Sequence, residues 1–185
     1  MLKHHFIHQA YDLPGLLNNT NKLSTFCSKL EKQSKLHPDK IDPETYKGNG
    51  LELFTEFLLT MFPVDARLGV SDYQLVQEGD VGVDGVGIGT NGKPATVQVK
   101  YRAANHDLTA NNDHLSNFTS ASLMHYNVDP TDDNNMLVIT TAKGLHHFTD
   151  NEMFLNKVRC VGYEQLRQIV DNNIPFWDAF RQHIR

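Results

Sequence analysis

The sequence predicts an α/β fold with a central mixed β-sheet flanked by helices, and three observations carry that prediction. Apolar residues recur at helical spacing from Leu51 to Met61, as they do on a helix that packs against a core. Short strand-like segments follow, two of them joined at Asn91-Gly92, a dipeptide typical of a two-residue hairpin turn. The unbroken apolar run Met136–Thr140 comes after a polar helix, which favours a parallel strand covered on both faces.

Residues 1–47 differ from the rest of the chain because they are more polar and contain several breaks. Pro14-Gly15 interrupts the start, one helix is predicted from Lys22 to Leu36, and Pro38 and Pro43 mark a linker. Two interpretations of this segment stay open: an extension that packs on the domain, or an arm that reads DNA or docks a partner.

Residues 48–185 form the predicted domain. Its first helix carries apolar residues on one face and ends at Pro63, and turn residues such as Gly79-Asp80 separate the later elements. The apolar face of that helix consists of Leu51, Phe54, Leu58 and Met61. The later elements are the strands Tyr73–Val76, Val83–Ile88 and Ala95–Tyr101, the helix Asn112–Tyr126, the strand Met136–Thr140, the helix Asp150–Lys157, the strand Val158–Val161, and the helices Tyr163–Asp171 and Pro175–Ile184, the last packing through Phe176 and Trp177.

The composition bounds the classes of function. Hydrophobic residues make up 39% and charged residues 21%, so a globular domain is predicted rather than a disordered or membrane-embedded chain. No apolar run approaches the roughly 18 residues that span a bilayer, and the N-terminus lacks the apolar core of a signal peptide. We therefore expect a cytoplasmic protein with no membrane partner. Cys27 and Cys160 lie far apart without a CxxC pair, which favours a reducing compartment.

The net charge of −5 argues against a protein that coats nucleic acid by bulk electrostatics, because neutralising phosphates requires lysine and arginine. An enzyme that gathers carboxylates around a metal is compatible with that charge. The chain also contains 10 histidines, but none form the matched Cys or His pairs of a zinc site. The pair His146-His147 is expected in a loop near Lys143, where it could touch DNA phosphates.

Two strands of the meander carry the residues with the clearest chemistry. Asp80 and Asp84 stand at the entrance of one strand, and Gln98 and Lys100 lie on the next. Because side chains alternate along a strand, Gln98 and Lys100 share one face, with the backbone carbonyl of Val99 between them. The register of the hairpin then places Asp84 across from that pair. The simpler interpretation is a strand whose polar residues face solvent.

A phosphodiester hydrolase needs a grouping of this kind. Hard oxygen ligands hold Mg²⁺, and the metal polarises a phosphate and lowers the pKa of an attacking water. A nearby lysine orients that water or stabilises the developing charge. The pattern predicts Mg²⁺ as the cofactor, with Mn²⁺ as a substitute, and no small-molecule cofactor or covalent intermediate.

These segments resemble the Mrr-like restriction endonuclease domains of the PD-(D/E)xK superfamily, which implies a restriction-endonuclease-like core. The resemblance covers the chain from about Gly48 to Asp171 and omits the first 47 residues. The segments that carry it are Gly50–Leu59, Asp80–Asp84 and Val97–Lys100, continued by Met136–Thr141, Phe148-Thr149 and Gly162–Leu166.

In that family the second Asp of the DxGxD motif binds metal, Gln often replaces the acidic residue before xK, and the first helix supplies a Glu. The helix residue stays open, because spacing to Leu58-Leu59 favours Glu52 while Glu56 lies one turn further and could face the same way. Asp80 is either a residue supporting the metal ligands or a plain turn residue. The implied catalytic residues are Asp84, Gln98, Lys100 and Glu52 or Glu56, and the implied metal ligands are Asp84, Gln98, the Val99 carbonyl and Glu52.

Four basic residues are expected close to this site and in contact with DNA: Arg67, Lys93, Arg102 and Lys143. Arg102 follows Lys100 by one strand alternation, so it should share the face of Lys100 and could grip a phosphate. A surface cation without that role is the alternative. The polar helix entry at Asn111, Asn112, Asp113, His114 and Asn117 could likewise face a groove, with a solvated helix start as the simpler interpretation.

The resemblance implies an Mg²⁺-dependent endodeoxyribonuclease that acts in restriction, phage replication or conflict between mobile elements, in a bacterial cell or a phage-infected host. Its partner would be DNA, and cutting of both strands would favour a homodimer. One alternative is a DNA-binding module that keeps the nuclease fold and has lost cleavage, for which Gln98 is the main argument. Another is a nuclease directed at Holliday junctions or RNA.

Overall fold

The computed structural model describes residues 2–63, 65–76, 82–146 and 155–184. The chain divides into two compact units, a helical unit of residues 1–57 with 164–185 and a sheet unit of residues 58–163. This division differs from the predicted boundary between residues 47 and 48, because one helix runs from Pro43 to Met61 without a break. A DNA-reading or docking role for residues 1–47 stays a prediction.

The helices and strands are named in chain order. Between β6 and β7 the described residues also include a short 3₁₀ turn, Leu155–Lys157. The elements are α1 (Phe6–Gln9), α2 (Leu13–Leu17), α3 (Leu23–Ser34), α4 (Pro43–Met61), β1 (Val70–Leu75), β2 (Gly85–Gly89), β3 (Pro94–Lys100), β4 (Asp107–Leu108), α5 (Leu115–His125), β5 (Met136–Thr140), β6 (Gly144–Leu145), β7 (Val158–Val161), α6 (Tyr163–Val170) and α7 (Ile174–His183). Within the described part of the chain, no helix is long and apolar enough to cross a membrane.

The helical unit has an aromatic core to which the N-terminal segment contributes directly. The ring of Phe26 on α3 lies 5.3 Å from that of Phe54, 6.1 Å from that of Trp177 and 6.4 Å from that of Phe180, measured between ring centroids. Phe176 and Trp177 are both buried, which confirms that α7 packs through them. The first 47 residues therefore include side chains of the core of this unit.

Two expectations about the start of the chain are wrong. Pro14 does not break the structure, because it lies in the first turn of α2, where a missing N–H costs nothing. The side chain of Asp12 caps that helix by accepting a hydrogen bond of 2.8 Å from the N–H of Gly15. Pro43 does not belong to a linker, since it begins α4.

The long helix α4 departs from the predicted amphipathic pattern. Leu51, Phe54 and Leu58 are buried as expected, but Met61 is 37% exposed at the helix end. Polar residues in the same stretch, including Glu56, are buried as well. Helical spacing therefore identified the element correctly and its exposed face incorrectly.

The sheet unit is built on a mixed five-stranded sheet with the strand order β1-β2-β3-β5-β7. The first three strands are antiparallel, and β5 is parallel to both β3 and β7. Every residue of β5 is buried, as the unbroken apolar run predicted for a strand with neighbours on both sides. The prediction of an α/β fold with a mixed sheet is thus confirmed.

The meander differs from its prediction mainly in β1, which begins at Val70 rather than Tyr73. Its register shifts between Ser71 and Gln74, and Asp72 adopts a left-handed φ of 51°. Such a bulge breaks the alternation on which strand prediction depends. Strands β2 and β3 begin and end within two residues of their predicted limits, whereas the predicted turn Gly79-Asp80 lies outside the described residues.

The second half of the sheet unit follows its prediction in order but not in every boundary. Helix α5 begins at Leu115 rather than Asn112, because His114 adopts a left-handed φ of 56° directly before it. The parallel pair β4–β6 was not predicted, since two residues are too few to show a period. Of the predicted helix Asp150–Lys157, the described part is only the 3₁₀ turn. Strand β7 begins and ends as predicted.

Replacing Phe26 with alanine tests whether the N-terminal segment belongs to the folded core. Because its ring is buried among three others, we expect the free energy of unfolding to fall by about 3–5 kcal/mol, measured by urea denaturation. Met124→Ala, at a methionine that is 75% exposed, is the control and should change that energy by less than about 0.5 kcal/mol. Equal effects of the two substitutions would show that the segment is not part of the core.

Candidate active site

The pairing of β2 with β3 determines where Asp84 lies. Gly85 pairs with Val97, so Asp84, the residue just before β2, stands opposite Gln98. The N–H of Asp84 donates to the carbonyl of Val97 at 2.9 Å, and Asp84 Oδ2 accepts a hydrogen bond of 2.6 Å from the N–H of Val99. The carboxylate is therefore held against the peptide that follows Gln98, on the strand carrying Lys100.

Gln98 is buried, with only 3% of its surface exposed, beside Val138 on β5. It shares a face of β3 with Thr96, whose hydroxyl lies 2.8 Å from that of Ser122 on α5. Gln98 Oε1 has no hydrogen-bond partner among the residues that the structure describes. A buried amide oxygen in that state costs about 1–3 kcal/mol, so the position calls for a functional or structural explanation.

Lys100 is the last residue of β3, and its backbone is fixed by β5. Its carbonyl accepts hydrogen bonds from the Thr140 hydroxyl at 2.6 Å and from the Thr141 N–H at 3.3 Å. Alternation along β3 places its half-buried side chain on the same face as Gln98. The structure thus brings Asp84, Gln98 and Lys100 together at the carboxyl end of β3.

The oxygen atoms at this point fit a hard divalent cation in type. Asp84 supplies a carboxylate, Gln98 an unpartnered amide oxygen and Val99 a backbone carbonyl, all of which are ligands that Mg²⁺ accepts. The set carries a single negative charge. In the described part of the chain, no group of three or more His, Cys, Asp or Glu side chains could hold a metal ion. The oxygen atoms at this point therefore suit Mg²⁺ by their chemical type, whereas their total negative charge is low.

The two candidate glutamates on α4 belong to the helical unit and have different contacts. Glu56 is buried, and its two carboxylate oxygens accept hydrogen bonds from the backbone N–H groups of Lys3 and His4 at 2.7 and 3.1 Å. Glu52 is 24% exposed, and its Oε2 lies 2.7 Å from His4 Nε2. The Phe6 N–H donates to His4 Nδ1 at 3.1 Å, so the ring proton sits on Nε2 and donates to Glu52.

These contacts separate the roles of the two glutamates. Glu56 holds the N-terminal backbone with both oxygens, which is a structural role. Glu52 keeps part of its carboxylate exposed, oriented by a buried histidine. That difference agrees with the preference for Glu52 that spacing suggested, and the joining of either one to Asp84 in a common site stays a prediction. Asp80 and His147 lie outside the described residues.

The structure divides the four basic candidates between the two ends of the sheet. Arg102 follows the carboxyl end of β3, and Lys143 follows that of the parallel neighbour β5, where its side chain is exposed. Lys93 precedes β3, whose seven residues separate its ends by roughly 20 Å at 3.3 Å per residue. Arg67 precedes β1, which begins opposite Gly89 at the same end as Lys93.

The expectation that Arg67 and Lys93 lie close to Lys100 is therefore wrong. Both make ion pairs at the other end of the sheet unit: Arg67 with Asp65 at 2.6 Å, and Lys93 with Asp129 and Asp132 at 3.1 and 3.0 Å. Proximity in sequence could not reveal this, because a hairpin carries its turn residues to the end of the sheet opposite its strand termini.

A cluster of side chains beside the site was missed by sequence reasoning. Asp113, placed in a polar helix entry, is 1% exposed and accepts hydrogen bonds from Arg102 Nε at 2.8 Å and from the Thr109 N–H at 2.7 Å. His106 Nε2 lies 3.3 Å from the same carboxylate. Burial raises the pKa of Asp113, but the hydrogen bonds from Thr109, His106 and Arg102 outweigh it and hold that pKa below its ordinary value. Their spacing of four, three and four residues from Arg102 to Asp113 would suit a helix, but this segment is not helical, so a periodicity argument could not reveal the cluster.

In comparisons with known proteins, no family model matches the chain, and no curated protein or solved structure matches it. The resemblance to Mrr-like domains therefore stands on the sequence segments that carry it. That resemblance stays a prediction, and the structure itself contributes the geometry described above.

The different contacts of Glu56 and Glu52 generate a stability prediction. Glu56→Gln replaces a buried carboxylate that accepts two backbone hydrogen bonds, and such charge-assisted bonds contribute about 1.5–3 kcal/mol each. We expect Glu56→Gln to lower the free energy of unfolding, measured by urea denaturation, by about 1.5–3 kcal/mol. The matched change Glu52→Gln, at a partly exposed residue, should cost less than about 1 kcal/mol. The reverse order would contradict the roles assigned here.

Proposed function

We propose that this protein is a metal-dependent endodeoxyribonuclease with a restriction-endonuclease-like core. The observation that carries the proposal is the position of Asp84, whose carboxylate is bonded to the Val99 N–H at 2.6 Å beside buried Gln98 and half-buried Lys100. The proposal is also supported by the mixed sheet, in which the antiparallel pair β2–β3 continues into the parallel strand β5 and places these residues at one end of the sheet.

The residues at the carboxyl end of β3 would divide the work. Asp84 has its carboxylate orientation fixed by the Val99 peptide, and Gln98 Oε1 and the Val99 carbonyl add neutral oxygens. A bound Mg²⁺ would supply charge stabilisation at a phosphate and an acidified water. Lys100 would donate to the attacking water or to a phosphate oxygen where negative charge develops. Water is the nucleophile in this scheme, so no residue forms a bond to the DNA.

The setting of the activity is part of the same proposal. Cleavage of foreign or replicating DNA inside a bacterial cell or phage-infected host is the use that the sequence resemblance suggests. If the protein cuts both strands, a homodimer with two-fold symmetry would place two copies of the site on opposite strands.

A DNA-binding module without catalysis is the second candidate. Gln98 favours the binding module, because a neutral amide oxygen is a weaker ligand for a divalent cation than a charged carboxylate. The single carboxylate among the sheet-unit ligands described above favours it too. Asp84 and Lys100 argue for the enzyme, because a module that only binds DNA needs no carboxylate and lysine on neighbouring strands at this point.

Lys100→Ala is the direct test of the proposed activity. Removing the amine takes away charge stabilisation at the reacting phosphate, so we expect cleavage of plasmid and linear DNA with Mg²⁺ to fall by about 100-fold or more. DNA affinity without metal should change little. The control is Lys157→Ala, at a partly exposed lysine before β7 at the other end of the sheet, which should cleave at the wild-type rate. Near-normal cleavage by Lys100→Ala would refute the assignment.

Gln98→Glu separates a working enzyme from a binding module. A carboxylate at this buried position is unfavourable without a cation, so the variant should have a lower Tm than wild type in EDTA. Mg²⁺ should raise its Tm more than that of wild type, because stabilisation by a ligand grows with affinity. If the protein is an enzyme, both forms cleave DNA.

The contrary result is equally definite. A wild type that never cleaves with Mg²⁺ or Mn²⁺, together with a Gln98→Glu variant that does, would identify the natural protein as the binding module. Equal responses of the two Tm values to Mg²⁺ would remove Gln98 from the metal site.

A further inference from the structure

We propose that Arg102 and His106, both held by the buried carboxylate of Asp113, form a binding site for a DNA backbone phosphate next to the one that reacts. This inference rests on the proposed nuclease function; it adds His106, to which the sequence analysis assigned no role, and gives Asp113 a different role from the groove-facing one that the sequence suggested. In it Arg102 and His106 touch the phosphate, and Asp113 is a positioning residue.

The contacts of Arg102 fix its guanidinium while leaving it reachable. Its Nε donates to Asp113 Oδ1 at 2.8 Å, and one Nη donates to the carbonyl of Tyr101 at 2.8 Å. The side chain nevertheless remains 36% exposed, whereas Asp113 is 1% exposed. An arginine oriented by a buried acid and open on its other side can present its remaining N–H groups to a phosphate.

His106 is held by the same acid and is open in the same way. Its Nε2 lies 3.3 Å from Asp113 Oδ2, and its side chain is 38% exposed. Asp113 is itself fixed, because Oδ2 also accepts from the Thr109 N–H at 2.7 Å. One buried carboxylate thus arranges two outward groups that can carry positive charge, which a solvated helix start does not require.

The backbone around the cluster is joined to the carboxyl end of β5. The N–H of Arg102 donates to the Thr141 hydroxyl at 2.8 Å, and that hydroxyl donates to the carbonyl of Arg102 at 2.7 Å. The Lys143 N–H donates to the carbonyl of His106 at 2.9 Å. The segment carrying both groups is therefore fastened to the sheet, and its position relative to Lys100 is determined by the fold.

The distance to the proposed catalytic lysine suits a neighbouring phosphate. Arg102 follows Lys100 by two residues, which span at most about 7 Å of chain. The guanidinium of Arg102 can therefore contact the same DNA strand as Lys100, at the phosphate next to the one that reacts. Such contacts position DNA without reading its sequence.

The test measures the affinity of each variant for labelled duplex DNA in EDTA by fluorescence anisotropy over a range of NaCl concentrations. Arg102→Ala should lower the magnitude of the slope of log Kobs against log salt by about 0.9, the value for one phosphate contact. Arg167→Ala is the control, at an arginine of α6 that is 44% exposed and paired with Glu164 and Asp171, and should leave the slope unchanged.

Asp113→Asn gives the sharpest discrimination, because two explanations predict opposite signs. Removing a negative charge strengthens DNA binding if bulk electrostatics alone matters. If Asp113 positions Arg102 and His106, the same change weakens binding by about five- to tenfold, and Asp113→Glu restores part of it. His106→Gln, at a partly exposed side chain, should also weaken binding, with a Tm measurement to show that the variant is folded.

Each outcome decides between the proposals. A wild type that neither binds nor cleaves DNA refutes the proposed function. A wild type that binds and cleaves, with Arg102→Ala and His106→Gln behaving like Arg167→Ala, refutes only this phosphate site. Tighter binding by Asp113→Asn, with Tm unchanged, would refute its positioning role, and a slope change seen with duplex RNA but not with DNA would overturn the assignment of the ligand.

Discussion

The pairing of β2 with β3 is the constraint on which the candidate site depends. Because side chains alternate along a strand, a slip of one residue in this pairing would turn the neighbour of Gln98 to the other face. The register is set at the turn, where Gly92 adopts a φ of 76° that suits glycine. At the other end of β2, Gly85 lets β1 lie close, since a Cβ there would lie 2.2 Å from a ring atom of Tyr73. The position of Asp84 opposite Gln98 follows from the β2–β3 register.

Asp113 and Gln98 are both buried near the carboxyl end of β3, but within the described part of the chain only Asp113 has hydrogen-bond partners for its side-chain oxygens. Asp113 is satisfied by a backbone N–H and two side chains, so its charge is offset inside the protein and its partners become ordered. Gln98 Oε1 has no such partner among the described residues, and packing alone would favour an apolar side chain at that position. Polar groups that local rules do not explain are concentrated at functional sites. Under the proposed function, a bound cation would give Gln98 Oε1 a partner; buried polar atoms without a hydrogen-bond partner among the described residues also occur at Thr55, Thr109 and Asn135.

The elements that could be predicted from the sequence are those fixed by local interactions along the chain. The hairpin turn around Asn91-Gly92, the buried strand β5 and the helix α6 follow from a dipeptide or a regular period, and the structure contains all three. The hairpin loop is longer than the two-residue turn expected, since Ile88 pairs with Pro94 and the Gly92 N–H donates to the carbonyl of Gly89. The start of β1 was missed because the bulge at Asp72 breaks its alternation. In the site, alternation predicts Gln98 and Lys100 on one face, and both residues lie within β3. It could not place Lys93 or Asp113, since the end of the sheet on which a loop lies, and the burial of one acid among several polar neighbours, are tertiary properties.

The charge distribution of the sheet unit limits how it could hold DNA. Arg67, Lys93 and Lys157 each have a carboxylate partner, and the chain as a whole carries a net charge of −5. Bulk attraction of a polyanion would therefore be weak, and affinity would depend on a few phosphate contacts made by groups held in place. A buried acid that orients an arginine suits this situation, because preorganisation reduces the entropy lost on binding. The negative charge of Asp113 would oppose DNA, but with 1% of its side chain exposed it would act mainly on Arg102 and His106, which it holds.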